Sequence, residues 1–196
     1  MNGLLPALVL ALSTTRSGGS PPELRTGDVV FQTSRSRQSA AIQRATRSPW
    51  SHVGIVERTG KGTFVLEAIQ PVSRTPWERW RKRGDGARVR VMRPRGLDPA
   101  AAGRVVAAAR RFLGRPYDPW FRWDDGAIYC SELVTKAFAE GAGLELGRRQ
   151  SVGELAIEGL EAELHRRFGR IPSDLVLVSP ASIAADEDLL VVGEWP

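Results

Sequence analysis

The chain has 196 residues, 42% hydrophobic and 26% charged, which is typical of a globular domain and excludes a disordered or collagen-like chain. This length predicts a single domain whose core needs neither disulfides nor metals. The formal net charge of +6 would favour binding to nucleic acid or to an anionic membrane surface. The basic residues are scattered, however, and their one cluster, residues 77–83, predicts an amphipathic helix with a solvated basic face. We therefore expect no nucleic-acid partner.

The N-terminal segment stands apart from the predicted domain. Residues 4–12 form a short apolar run and residues 13–20 are mostly polar. The run resembles the apolar part of a secretory signal and is too short to span a bilayer. No Lys or Arg precedes it, and no clear cleavage site follows. We treat residues 1–20 as a signal or disordered segment, so the protein is periplasmic or exported if the signal operates and cytoplasmic otherwise.

A β-hairpin is the main prediction for the first half of the domain, residues 21–196. A first β-rich run, Val29-Val30-Phe31, is expected to begin a strand. Residues 52–57 and 63–69 are two more such runs, and the Gly-containing turn at 59–62 between them predicts a hairpin.

Helices and strands alternate irregularly in the remaining sequence. Asp98 followed by Pro99 predicts a helix start, because an N-cap side chain precedes proline at the first helical position. Residues 129–139 carry apolar side chains on one helical face. The other predicted elements are helices over 36–46 and 152–168 and strands over 88–92 and 175–178. This mixture predicts an α+β fold.

Cys130 is the only cysteine in the sequence, which excludes an intramolecular disulfide. With two histidines beside it, a structural zinc site is not expected, and no metal or cofactor is predicted. A lone cysteine is either a small buried hydrophobic residue or a nucleophile. The start of a helix favours the thiolate, and its free N–H groups can face an oxyanion. The position of Cys130 therefore favours a nucleophile.

A catalytic thiolate needs an imidazole and a group that orients the ring. His165 lies among charged residues of a predicted helix, which indicates a surface position, whereas His52 begins an apolar strand. Glu67 interrupts an apolar run, where a carboxylate is costly to bury unless it is paired. Glu67 either faces solvent by strand alternation or meets His52 at the open end of the hairpin.

Several motifs resemble the YiiX-like family, a bacterial branch of the permuted papain-like, NlpC-type cysteine hydrolases. They are Leu24-Arg25-Thr26-Gly27-Asp28-Val29-Val30-Phe31-Gln32-Thr33-Ser34, Ser48-Pro49-Trp50-Ser51-His52-Val53-Gly54, Leu66-Glu67-Ala68 and Tyr129-Cys130-Ser131-Glu132-Leu133-Val134. The resemblance implies that His52, Glu67 and Cys130 occupy the catalytic positions, in that chain order. It also implies a small antiparallel sheet or barrel packed against helices.

The resemblance further implies acyl transfer by a cysteine amidase or peptidase, through thiolate attack and a thioester. Expected substrates are acyl amides, peptides or lipid-like compounds, from lipid or cell-wall material, and peripheral membrane contact is compatible with them. Gln32 and Tyr129 are candidates for the oxyanion or substrate site. The alternative function is a non-catalytic lipid- or ligand-binding module on the same fold.

Overall fold

The computed structural model describes residues 23–195, so the predictions for residues 1–20 lie outside the described part of the chain. The strands in chain order are β1 (Val29–Gln32), β2 (His52–Thr59), β3 (Gly62–Glu67), β4 (Ser73–Pro76), β5 (Val89–Pro94), β6 (Arg149–Ser151), β7 (Val176–Val178) and β8 (Leu189–Trp195). The helices are α1 (Ser39–Thr46), α2 (Trp77–Arg83), α3 (Pro99–Arg110), α4 (Cys130–Ala142), α5 (Glu161–Phe168) and α6 (Pro180–Ala184). The α+β prediction is confirmed.

A six-stranded antiparallel sheet, in the order β4-β3-β2-β1-β5-β8, forms the centre of the fold. β2 and β3 make the predicted hairpin, with Ile55 opposite Leu66. His52 begins β2 and Glu67 ends β3, so both side chains lie at the open end of the hairpin. β1 pairs with β2 on the other side and sets Gln32 opposite His52.

Helix α4 packs on this sheet with α3 beside it. Its buried residues include Leu133, Val134 and Phe138, which share one core with Phe31 and Ile55 of the sheet. Burial of such side chains stabilises the fold by roughly 1.5–3 kcal/mol each. Packing against the sheet therefore fixes where α4 begins, and α4 begins at Cys130.

The prediction of one helix over residues 152–168 is wrong. A 3-10 turn, Val152–Glu154, and helix α5 occupy the region, separated by a loop. Gly159 adopts a φ of 75°, a left-handed conformation that glycine takes at no steric cost and that interrupts a helix. The following strand, β7, pairs with β6 in a separate two-stranded sheet.

Within residues 23–195, the structure contains no helix that combines the length and apolar character needed to cross a membrane.

Candidate active site

Cys130 is the first residue of α4, where Tyr129 is the N-cap. Cys130 is buried, with only 5% of its surface exposed to solvent. The first backbone N–H groups of a helix have no acceptor within the helix. Cys130 thus combines a nucleophilic atom with nearby donors and the positive end of the helix dipole.

His52 connects this helix start to the sheet. Its Nε2 lies 2.6 Å from Glu67 Oε2, and this contact leaves Nδ1 as the ring nitrogen available to a thiol. Cys130 lies close enough to the ring to raise the pKa of His52. The structure therefore brings together the three residues that sequence analysis selected, and Glu67 faces His52 rather than solvent.

Glu67 is completely buried and is held by four donors. Its Oε1 accepts from Thr75 Oγ1 at 2.6 Å, and its Oε2 accepts from Trp80 Nε1 at 2.9 Å as well as from His52. Arg83 also donates to Oε2 and forms an ion pair with the carboxylate. Two cationic partners and two neutral donors thus compensate the cost of burying this charge.

These contacts shift two pKa values in opposite directions. Burial lowers the pKa of His52, but hydrogen bonds and charge interactions with Cys130 and Glu67 outweigh burial and raise it to about 9. Burial raises the pKa of Glu67, but His52 and Arg83 outweigh burial and lower it to about 2. At neutral pH the structure therefore favours an imidazolium next to a carboxylate.

Two cavities flank the site, and Tyr117 and Gln38 line both of them. The first, which we call the Cys130 cavity, has a volume of about 110 Å³ and mostly apolar walls from α1, α5 and the β7 region. The second, the His52 cavity, has a volume of about 510 Å³ and includes His52 in its wall. A substrate lying across Tyr117 would reach into both cavities.

Gln32 and Tyr129, the two further sequence candidates, lie on different sides of the site. Gln32 lines the His52 cavity, whereas Tyr129 lines the Cys130 cavity. The Tyr129 hydroxyl accepts a hydrogen bond of 3.2 Å from the Val178 backbone N–H. His165 lies on α5, away from both cavity walls, in agreement with its predicted surface position.

Four residues near the site were missed by sequence reasoning. Trp80 and Arg83 lie on the helix predicted to present a solvated basic face, yet Trp80 is fully buried and Arg83 contacts Glu67. Thr75 lies on β4, a strand the sequence analysis did not predict. Tyr117 was not among the candidate residues. A useful signal was the spacing of Trp77 and Trp80, which places two large apolar side chains on one helical face.

The comparisons with known proteins agree with this fold, which is that of a permuted papain-like protein. The chain belongs to the family described as permuted papain-like amidase enzyme, YaeF/YiiX, C92 family, whose model matches residues 23–193. It is 37% identical over 177 residues to "Uncharacterized protein YiiX" of Escherichia coli K12, which covers 88% of each chain. A crystal structure of metalloprotein yiiX from Escherichia coli O157:H7 matches with a TM-score of 0.84 and 37% identity, covering 88% of this chain and 98% of that one.

That relative is called a metalloprotein, so the question is whether the residues of this site could hold a metal ion. Residues 23–195 contain no group of three or more His, Cys, Asp or Glu side chains placed to hold a metal. Glu67, the carboxylate nearest to His52, is already engaged by Arg83, a cation that disfavours a metal ion at the same oxygens. The site residues do not fit a metal, and no catalytic step is assigned to one.

Proposed function

We propose that the protein is a cysteine amidase that cleaves an acyl-amide bond through a thioester on Cys130. The observation that carries this proposal is the position of His52, which contacts the buried Glu67 and lies near Cys130. In such an arrangement the imidazole handles the proton and the carboxylate orients the ring. Membership of an amidase family supports the same class of bond.

The pKa of His52, about 9, refines the role that sequence analysis gave it. At neutral pH the ring therefore already carries its proton. His52 acts first as the general acid for the departing amine. It acts as a base only when water enters.

The reaction follows from these roles. The Cys130 sulfur attacks the carbonyl carbon, and the electron pair of the C=O π bond moves to the oxygen. When the tetrahedral intermediate collapses, the C–N bond breaks and the amine leaves with the proton from His52. Water then loses a proton to His52 and attacks the thioester, which releases a carboxylic acid and restores the thiolate.

We assign stabilisation of the oxyanion to the start of α4 and to Tyr117. The Tyr117 hydroxyl accepts a hydrogen bond of 2.7 Å from Gln38 Nε2, which leaves its proton available to a ligand. Burial and the nearby Cys130 charge raise the pKa of Tyr117, so the hydroxyl keeps that proton at neutral pH. Gln32 and Tyr129, the sequence candidates, serve instead as walls for the two halves of the substrate.

The Cys130 cavity is the proposed acyl site. Ile42, Leu164 and Leu177 are among its apolar residues, and burial of methylene groups against them stabilises a bound chain by about 0.8 kcal/mol per group. Its volume of about 110 Å³ is smaller than the roughly 150 Å³ of a cavity that holds benzene. We therefore propose an acyl chain of at most medium length, of which the first carbons fill the cavity.

The test is hydrolysis of N-acyl glycinamides with acetyl, butanoyl, octanoyl and hexadecanoyl chains. We expect kcat/KM to rise to the octanoyl substrate, and we expect Cys130→Ala and His52→Asn to abolish turnover. Trapping a thioester by mass spectrometry after a rapid acid quench would identify Cys130 as the acylated residue. Turnover that survives Cys130→Ala would refute the proposal.

A non-catalytic lipid-binding module, the alternative function, gives a different result. It predicts that octanoyl compounds bind to wild-type protein and to Cys130→Ala with equal affinity and that no substrate is hydrolysed. Labelling by an octanoyl chloromethyl ketone separates the two functions further, because only an activated thiolate reacts rapidly. An enzyme loses this labelling in both Cys130→Ala and His52→Asn.

A further inference from the structure

The His52 cavity is the part of the site to which the proposed reaction gives the leaving group. His52 delivers a proton to the departing amine, so that amine and whatever it carries must lie on the His52 side of the scissile bond. The acyl chain on the other side occupies the Cys130 cavity. The chemistry of the His52 cavity wall therefore selects the leaving group.

The charged residues in that wall have one sign. Arg35 and Arg83 line the cavity together with His52, and among residues 23–195 no Asp or Glu belongs to the wall. Glu67 Oε2 accepts from Arg83, but a guanidinium has five N–H donors and keeps others free for a ligand. The Arg35 side chain is 64% exposed, and its nearest carboxylate, Asp85 Oδ1, is 3.8 Å from Nε. That exposed pair is too weak to occupy Arg35 fully.

Gln32 completes the wall of this cavity. The residue is 1% exposed and lines the cavity, and its Oε1 has no hydrogen-bond partner among the described residues. That oxygen lies against Gly84, where a Cβ would be 2.3 Å away, so glycine at this position leaves the space that Gln32 needs. Gln32 carries no charge, so the two guanidinium groups and His52 remain the charged groups of the wall.

From these observations we infer that the leaving group is an amine that carries an anionic group, a carboxylate or a phosphate, bound by Arg35 and Arg83. This inference rests on the proposed function, because it places the amine on the His52 side. The anion on the leaving group then reaches the two guanidinium groups. Arginine suits this role because its planar fork matches the oxygens of carboxylates and phosphates.

The test compares three substrates with the same octanoyl chain: N-octanoylglycine, the neutral N-octanoylglycinamide and the phosphate ester of N-octanoylethanolamine. We expect about two- to fivefold higher kcat/KM for at least one anionic substrate than for the neutral one, as one partly exposed ion pair provides. The anionic substrate with the higher kcat/KM shows whether the leaving group carries a carboxylate or a phosphate. Added salt must reduce the preference, because exposed charges are screened.

Three variants test whether Arg35 causes the preference for anionic substrates. Arg35→Gln should lower the anion preference about two- to fivefold, whereas Asp85→Asn should raise it, since removal of the competing carboxylate frees Arg35. Arg37→Gln is the matched control, because Arg37 is exposed and does not line the cavity; its preference should equal that of the wild type. Arg83 is left intact in these variants because it also holds Glu67.

Binding to Cys130→Ala separates this inference from the proposed function. Calorimetry with N-octanoylglycine and N-octanoylglycinamide reports the anion preference whether or not the wild-type protein turns over. Anion preference without turnover would refute the amidase and retain the anion site. Equal kcat/KM and equal affinity for all three compounds, or a preference unchanged in Arg35→Gln, would overturn the anion site and leave the amidase intact.

Discussion

Glu67 controls the charge state of the proposed catalytic pair, because its carboxylate faces His52 Nε2 at 2.6 Å. We expect Glu67→Gln to lower the pKa of His52 from about 9, since the neutral amide no longer stabilises imidazolium. We also expect kcat/KM to fall on the order of 10²- to 10⁴-fold, as when a triad carboxylate becomes an amide. The pH dependence of kcat/KM and of Cys130 alkylation measures both effects.

Glu57 provides the matched control for that substitution. It is another buried carboxylate on the hairpin, 3% exposed, and it is paired with Arg74 and Arg110 rather than with His52. Glu57→Gln should destabilise the protein but leave kcat/KM of the folded enzyme unchanged. Equal loss of activity in the two variants would show that Glu67 acts only through stability.

Trp80 is a positioning residue whose indole N–H donates to Glu67 at 2.9 Å. Trp80→Phe removes this donor while keeping an aromatic ring, so we expect a severalfold loss of kcat/KM and a raised pKa for Glu67. Loss of buried volume should also lower the free energy of unfolding by roughly 1–3 kcal/mol. The measurements are the pH–rate profile and urea denaturation.

Trp77→Phe tests whether volume alone explains that result. Trp77 is buried and stacks on Trp80 with ring centroids 5.7 Å apart, and its indole N–H donates to no described residue. Trp77→Phe should therefore cost similar stability without changing the pH–rate profile. A shifted profile in Trp77→Phe alone would contradict the positioning role of Trp80.

The sequence identified the three central residues because each breaks a local rule. Glu67 stands in an apolar run, His52 begins an apolar strand, and Cys130 is unique. Arg83 follows every local rule for a basic surface residue, so its contact with buried Glu67 arises only from how α2 lies beside the end of β3. Tertiary neighbours of this kind leave no periodic signal in the sequence.

At the level of elements, α4 and α3 approach each other closely at Gly141. A Cβ on Gly141 would lie 2.3 Å from the Val105 backbone nitrogen, although Ala in a helix is normally more favourable than Gly by about 1 kcal/mol. We expect Gly141→Ala to lower the free energy of unfolding by roughly 1–3 kcal/mol through overpacking. Because α4 begins at Cys130, kcat/KM should fall as well.

Gly103 on α3 is the control for this prediction. A Cβ there meets nothing within 4 Å, so Gly103→Ala should raise the free energy of unfolding by about 0.5–1 kcal/mol. Urea denaturation of both variants gives the comparison. If Gly141→Ala were as stable as Gly103→Ala, the helix crossing would be looser than the structure has it.

Element prediction succeeded where the pattern was local and failed where pairing was distant. The β2–β3 hairpin and the start of α3 follow from a short turn and from an N-cap, and Asp98 does accept from the Ala101 N–H at 2.8 Å. β8 was missed because its partner, β5, lies about a hundred residues earlier in the chain. The apolar residues of the irregular segment after Val152 face the Cys130 cavity. Their spacing in the sequence imitates a buried helical face, which explains the wrong helix prediction.

For the whole molecule, the His52–Glu67 pair couples stability to pH. The pKa of His52 is raised from 6.5 to about 9, so the stability it contributes is complete below pH 6.5 and is lost as pH rises through about 9. The pKa of Glu67 is lowered from 4.5 to about 2, so its contribution is complete above pH 4.5 and is lost as pH falls through about 2. The contribution of the pair is therefore largest between pH 4.5 and 6.5.

The measurement is the difference in free energy of unfolding between the wild type and His52→Asn, from urea denaturation at pH 4 to 10. Other titrating groups, including Glu132, whose pKa burial raises to about 7 although Lys136 opposes it, are common to both proteins and largely cancel in the difference. We expect the difference to be nearly constant from pH 4.5 to 6.5 and to shrink steadily toward pH 9. A difference that stays constant through pH 9 would mean that folding does not shift the pKa of His52. The ring would then be mostly neutral above pH 7, and its role as the resting acid would have to be abandoned.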